Sequence, residues 1–448
     1  MKHHSIVLTF VLCAVCNQPM HAQRLAAGPM LGHTDMRQAT IWLQTTEPAT
    51  VWIEYREKGK GTDWYRTEQQ NTVRTNTCTA TMVADSVEPG RTYEYRVIQN
   101  QSPLTIAYPT EFKTQPIWKW RGDDLPSYTM AIGSCLYVNQ QGYERHNKDG
   151  IESGYGSEYE TIASLAKAKP DVMVWMGDNV YMREPDWNSR SGMLKRFSHT
   201  RALPELQPLL ASTVNYAIWD DHDYGPDNAN RSWWGKETSL EVHKLFWCNP
   251  SYGTTTVPGV FTSFDMLDVQ VFLLDDRYYR SPDTRNDVDD GILGEQQLNW
   301  LIDGLASSRA TFKIVATGSQ FITSDTTKES YIKHPLERKR IIDLITSNNI
   351  NGVVFISGDI HAAELSKMER PGSYPLYDFT SSSLTAGSNK NIANQKNQYR
   401  IPGMTYGGHN FGLITVSGKR KDRTLTMRCM DKDGNEVWKL VVNEKELR

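Results

Sequence analysis

Six short apolar runs, each ending abruptly in a polar or glycine-containing loop, restrict more than anything else how this chain can fold. They read "YTMAIGSC", "PDVMVWMGDNVY", "VNYAIWDDHD", "DVQVFLLDDR", "FKIVATGSQ" and "NGVVFISGDIH". Short apolar runs bounded by turn signals fit strands buried on both faces, as in parallel sheets. Helical patterns lie between several of them. In "GEQQLNWLIDGLAS", Leu298, Leu301, Ile302 and Leu305 fall on one helical face, and "PLERKRIIDLITSNN" begins at a proline suited to a first helical turn. Tyr159 to Lys167 reads the same way. Strands alternating with helices predict an α/β domain over residues 127–448. In such sheets the loops at the carboxyl ends of strands gather at one edge, where ligands bind.

The region before it has another rhythm. Residues 24–115 read as strands and turns: "QATIWLQT" and "ATVWIEYRE" alternate across "TEPA" as a hairpin would, and a turn at Glu88, Pro89 and Gly90 feeds an alternating Tyr93, Tyr95, Val97 strand. This resembles the fibronectin type III or immunoglobulin-like sandwich, whose late strands often follow an L-x-P-x-x-x-Y corner; Val87 stands here in place of the leucine. A Trp- and Pro-containing linker, "TQPIWKWRGDDLPS", follows it. At the far end "KDGN" reads as the turn of a closing hairpin.

Residues 1–22 read as a signal peptide, with Lys2 in the n-region, an apolar stretch from Ile6 to Val15 too short to span a bilayer, and Ala22 at the cleavage point. The chain is therefore expected to be exported, to a periplasm or the medium. Lipid attachment at Cys16 is disfavoured by the bulky Val15 before it, and no further run predicts a membrane span. A length of 448 residues suits about two domains. The net charge of −3 argues against the basic stripe of a nucleic-acid binder. It leaves phosphate-bearing substrates open, provided a metal supplies local positive charge. Cys78, Cys135, Cys248 and Cys429 lack zinc-finger spacing; a disulfide among them stays open.

The strand-end loops together deliver Cys135, Asp178 with Tyr181, Asp221 with His222, Gln320, and Asp359 with His361. Singly, each has a bland reading: a buried small thiol, an Asn-type turn, a loop cap, a satisfied histidine. Several strand ends each supplying a thiol, carboxylate, phenol, imidazole or amide read instead as ligands for more than one metal ion.

These motifs resemble those of the calcineurin-like metallophosphoesterases, with "GDNVY" for Gly-Asp-x-x-Tyr, "DDHD" where the family carries Gly-Asn-His-Asp/Glu, and "GDIH" where it carries Gly-His-x-His. They are more similar still to the PhoD-like alkaline phosphatase family, through "GSC" at Gly133 to Cys135, "WDDHD" at Trp219 to Asp223 and "DDRYYR" at Asp275 to Arg280. The resemblance runs from Tyr128 to about Val416. It implies a four-layer α-β-β-α metallophosphoesterase domain preceded by a small all-β sandwich, and a phosphatase or phosphodiesterase acting on small-molecule, lipid or polymer phosphate esters. It further implies a ferric ion on Cys135, Asp178, Tyr181 and His361, with Asp178 bridging to a second site on Asp221 and Asp359. Asn179 and Gln320 are candidate neutral donors there, and oxygen ligands suit calcium. Asp221 also has a catalytic place, beside His222, which can protonate a leaving group or hold the phosphoryl group. Asp220 and Asp223 would orient both. Arg277 and Arg280 would clamp phosphate, or else pair with Asp275 and Asp276. Trp233 and Trp234 are candidates for a lid at the entrance, or for helix packing. The alternatives are a purple-acid-phosphatase-like monoesterase with two divalent transition metals, and a non-catalytic periplasmic or surface binding protein. Monoester or diester preference and oligomeric state are not legible in the sequence.

Overall fold

The computed structural model describes residues 24–285 and 291–448, so the leader read over residues 1–22 lies outside the described residues. Strands Tyr128–Gly133, Val172–Met176 and Val214–Ile218 pair in parallel, with Met130 opposite Val172 and Val172 opposite Val214. Antiparallel strands Asn410–Lys419, Asp422–Asp431 and Glu436–Asn443 extend the other side to make a six-stranded sheet, and "KDGN" turns the last hairpin.

Alternation along the parallel strands explains their continuous apolar text. Met130, Ile132, Val172, Val174, Met176, Tyr216 and Ile218 enter a core shared with a second sheet. Ala131, Met173, Trp175 and Ala217 point the opposite way, into a core with Ile162, Phe197, Leu210 and Phe246. These come from helices Glu160–Ala168, Arg190–Arg201, Gln207–Ser212 and Lys236–Phe246. Both faces are dry, so apolar residues dominate the runs, and the buried polar exception, Asn215, is satisfied by accepting from Trp175 Nε1 at 2.9 Å.

The second sheet has seven strands, in the order Thr262–Met266, Val269–Leu273, Phe312–Ala316, Val353–Ser357, Ser373–Ser381, Ala363–Arg370 and Arg400–Tyr406. Val269–Leu273 through Ser373–Ser381 run parallel. Helices Gly294–Ser307 and Pro335–Ser347 pack on it with Leu298, Leu301, Leu305, Ile341 and Ile345. The order of layers is thus helix, sheet, sheet, helix, as the resemblance implies.

The N-terminal region is all β, but its two early strands do not form the expected hairpin. Ala39–Thr45 pairs with Leu25–Thr34 and Thr79–Ala84, whereas Thr50–Glu57 pairs with Thr92–Gln99 in a separate sheet. Alternation reports a buried face without naming the partner strand, and here the chain crosses between sheets at the turn. Ile41, Leu43, Val51, Ile53 and Tyr55 meet between them. The opposite face of Ala39–Thr45 is covered too: Trp42 packs on Phe246 at 5.7 Å between ring centres and donates to the Leu245 carbonyl at 2.8 Å. At the expected corner the Tyr93 hydroxyl accepts from the Glu88 amide at 2.7 Å. Cys78, Cys135, Cys248 and Cys429 are all free and buried, so the disulfide left open by the sequence does not form.

Candidate metal centre

All parallel strands of both sheets end at the same edge, and their last residues bring the polar motifs together. Four residues there hold left-handed backbone: Cys135, Asp178, Asp359 and His361 have φ of +59°, +52°, +69° and +57°. Each such non-glycine conformation costs on the order of 1–3 kcal/mol, a cost typical of functional sites. Gly177, with φ +88°, lets the second strand end touch the third: a Cβ there would lie 2.6 Å from that of Asp220.

Asp178 is the centre of the arrangement. Its Oδ2 accepts from the Tyr181 hydroxyl at 3.0 Å and lies 3.6 Å from the Cys135 sulfur, while its Oδ1 accepts from the His222 amide at 3.2 Å. The Tyr181 hydroxyl is also 3.2 Å from His361 Nε2. Cys135, Asp178 and His361 offer ligand atoms within 4.8 Å of one another, and so do Asp178, Asp221 and His222. The two groups share Asp178. They open on a cavity of about 830 Å³ that Asp178, Asp221, His222, Asp359, His361 and Tyr155 help to line.

The charges in this cluster are unbalanced. Burial pushes the Cys135 thiol up to about 12. Burial, then the neighbouring Asp221 and Cys135, lift the Asp178 carboxyl well above the usual range, and burial does the same to Tyr181. Asp359 is pushed up to about 7 by burial and by the nearby Glu329 and Asp221. For Asp221, burial acts upward but is outweighed by His222, Arg277 and the Asn228 amide, which hold the carboxyl below its ordinary value. A donor set of thiol, carboxylate, phenol and imidazole crowded in this way fits a cation. Two buried oxygens point to the same need: Asn179 Oδ1 and Asp220 Oδ2 lack a protein partner.

The other predicted residues are placed as follows. The Asn179 amide nitrogen donates to the Ile218 carbonyl at 2.7 Å, leaving that unpartnered oxygen beside Asp178 in sequence. Asp223 accepts from the Val180 and Asp220 amides at 3.0 and 3.1 Å, tying two strand-end loops together. Gln320 donates instead to Glu364 and Thr380, at 3.3 and 3.0 Å. Arg277 is fully buried and binds Asp220 at 2.5 Å and Glu329 at 2.6 Å, rather than Asp275 or Asp276 by its side chain. Arg280 reaches the cavity wall while paired with Asp283 at 2.9 Å. The Trp233 and Trp234 rings lie 5.2 Å apart, tilted by 49°, and Trp234 is exposed.

Several wall residues escaped sequence reasoning, among them Tyr155, Asn228, Glu329 and Asn389. Asn389 lies in a loop that reads only as polar; Tyr155 sits between two glycines, "GYG", which is the single local signal for it.

Comparison with known proteins gives similarity in sequence and fold. The family model described as PhoD-like phosphatase matches residues 255–426, and one for a domain of unknown function matches residues 22–117. Alkaline phosphatase D of Bacillus subtilis (strain 168) is 25% identical over 365 residues, covering 68% of this chain and 58% of that protein. The chain thus spans less than two thirds of that relative's length. Among solved structures, that of PhoD gives a TM-score of 0.73 at 19% identity, covering 92% of this chain and 88% of the other. A purple acid phosphatase isolated from yellow lupin (Lupinus luteus) seeds gives 0.63 at 12% identity, covering 93% and 74%. Sequence match, curated relative and shared fold agree: the chain is similar to the PhoD-like phosphatases, in sequence over residues 255–426 and in fold over most of its length.

Proposed function

We propose that this chain is an exported, metal-dependent phosphoric ester hydrolase. The observation that carries the reading is the pair of ligand groups sharing Asp178 at the floor of an open cavity. Cys135, Asp178, Tyr181 and His361 would hold ferric iron, for which thiolate, phenolate and carboxylate are suitable anionic donors. Asp178, Asp221 and Asp359 would hold calcium, with the Asn179 oxygen as a neutral donor. When bound, such cations supply Lewis-acid activation of water and neutralise phosphoryl charge.

The chain's own residues do the rest. His222 is anchored by its amide on Asp178 while its imidazole, 24% exposed, faces the cavity 3.6 Å from Asp227. It is placed to move a proton to a leaving-group oxygen. Arg280 lines the cavity and would meet the substrate phosphate. Arg277, enclosed by Asp220, Glu329 and Asp221, would instead balance the carboxylates from behind.

The second ligand group contains an imidazole, which favours a divalent transition metal over calcium and supports a purple-acid-phosphatase-like pair as the second reading. Metal content of the purified protein separates the two: iron with calcium is expected, while iron with zinc or manganese selects the alternative. Hydrolysis of p-nitrophenyl phosphate and its bis ester, abolished by chelator and restored by metal, tests the activity. Absence of bound metal after reconstitution, or metal without hydrolysis of either ester, overturns the proposal. Amino-terminal sequencing of the periplasmic form tests export, with a start at Gln23 expected.

A further inference from the structure

We infer that Tyr155 is a positioning residue for the metal centre, holding the His361 imidazole through Nδ1 so that Nε2 is turned toward Cys135, Asp178 and Tyr181. The inference deepens the metal-hydrolase reading above and rests on it.

The geometry is specific. The Tyr155 hydroxyl lies 3.2 Å from His361 Nδ1, and on the other side of the ring Nε2 lies 3.2 Å from the Tyr181 hydroxyl. The backbone of His361 is pinned separately. Its amide donates to the Ser382 hydroxyl at 3.1 Å, and its carbonyl accepts from the Asn389 amide at 2.8 Å. Rotation of the ring is therefore the remaining freedom, and Tyr155 restrains it. Tyr155 is itself seated: Tyr137 packs edge-on at 5.1 Å, and Gly387 leaves room for the ring, since a Cβ there would lie 2.6 Å from Tyr155 Cε2.

The proton balance gives the hydroxyl its role. One phenol beside Nδ1 and another beside Nε2 hold the ring from both sides. A ligating Nε2 must give up its hydrogen, and the neutral ring then carries it on Nδ1. A hydroxyl both donates and accepts, so Tyr155 satisfies Nδ1 in either tautomer. A phenyl ring at position 155 satisfies neither, and leaves Nδ1 at the cavity wall without the group that orients the ring. Outer partners of this kind orient ligating histidines in general.

The test compares ferric iron affinity, by competition with a chelator, in the native protein, Tyr155→Phe and Tyr137→Phe. Tyr137 belongs to the same aromatic cluster, but its hydroxyl bonds Glu144 and Arg183, not His361. Tyr155→Phe is expected to lose about 10- to 100-fold in iron affinity. The visible tyrosinate-to-iron absorption should weaken in parallel, while calcium affinity, near-ultraviolet circular dichroism and metal-free melting stay unchanged. Tyr137→Phe is expected to keep native iron affinity. Native iron affinity in Tyr155→Phe overturns the inference alone, as does an equal loss in both variants. A native protein that binds no iron overturns the function reading, and this inference with it.

Discussion

Two buried carboxylates in this chain meet opposite circumstances. Asp268 is gripped by Arg423 through two bonds, at 2.9 and 3.0 Å, and both side chains are almost fully enclosed. Asp186 with Arg196 and Glu364 with Arg400 repeat the pattern. Asp178 is as deeply buried, but its immediate partners are a thiol, a phenol and one backbone amide. For these three carboxylates the fold supplies a guanidinium; at Asp178 that pairing is absent, and the missing charge is what a cation provides. Arg277, which comes within 4.0 Å of Asp221, is engaged by Asp220 and Glu329.

The largest test of this contrast uses pH. Asp223 is held up to about 7 by burial against its backbone bonds, and Asp359 to about 7 by burial, Glu329 and Asp221. Both lie above the ordinary carboxyl value, so the metal-free fold favours their protonated forms. Their contribution to stability is complete below about pH 4 and is lost as pH rises through 7, at about 1.4 kcal/mol per unit for each group. Melting of chelator-treated protein should therefore fall from pH 4 to 7, and metal should restore it most at neutral pH. A metal-free melting temperature that rises over that range breaks the comparison.

Next in size, Asp268→Asn leaves Arg423 buried without its counter-charge. A loss of about 3–5 kcal/mol in denaturant unfolding is expected, with metal content per folded molecule unchanged. Asp178→Asn should do the converse, lowering turnover about a hundred- to a thousandfold and depleting both metals while costing little stability without metal. Comparable metal loss in the two variants would erase the distinction. The smallest effect belongs to Trp234→Ala: the side chain is exposed, so stability should change by less than about 0.5 kcal/mol. A change in KM without one in melting would support its place at the entrance.

Much of this was readable in the chain. The apolar runs became the parallel strands because both faces of each are dry, and the helix beginning at Pro335 runs to Ser347. The residues from Cys135 to His361 meet at one edge because parallel strands share a direction. Pairing of the early N-terminal strands was misread, since alternation names a buried face and not a partner. Arg277 could be read as a phosphate clamp or a structural ion because its partners lie 57 and 52 residues away, in loops no local pattern connects. Tyr155 gave almost no signal: its partner is 206 residues distant.

Residue order by itself determined the α/β alternation, the edge at which chemistry gathers and the types of donor found there, because hydrophobic periodicity and strand direction are local properties of the text. Tertiary structure alone decided which donors share Asp178, which guanidinium is buried out of reach of the cavity and which phenol holds the His361 ring. Those outcomes depend on distances of about three ångströms between segments far apart in sequence, and only packing sets them.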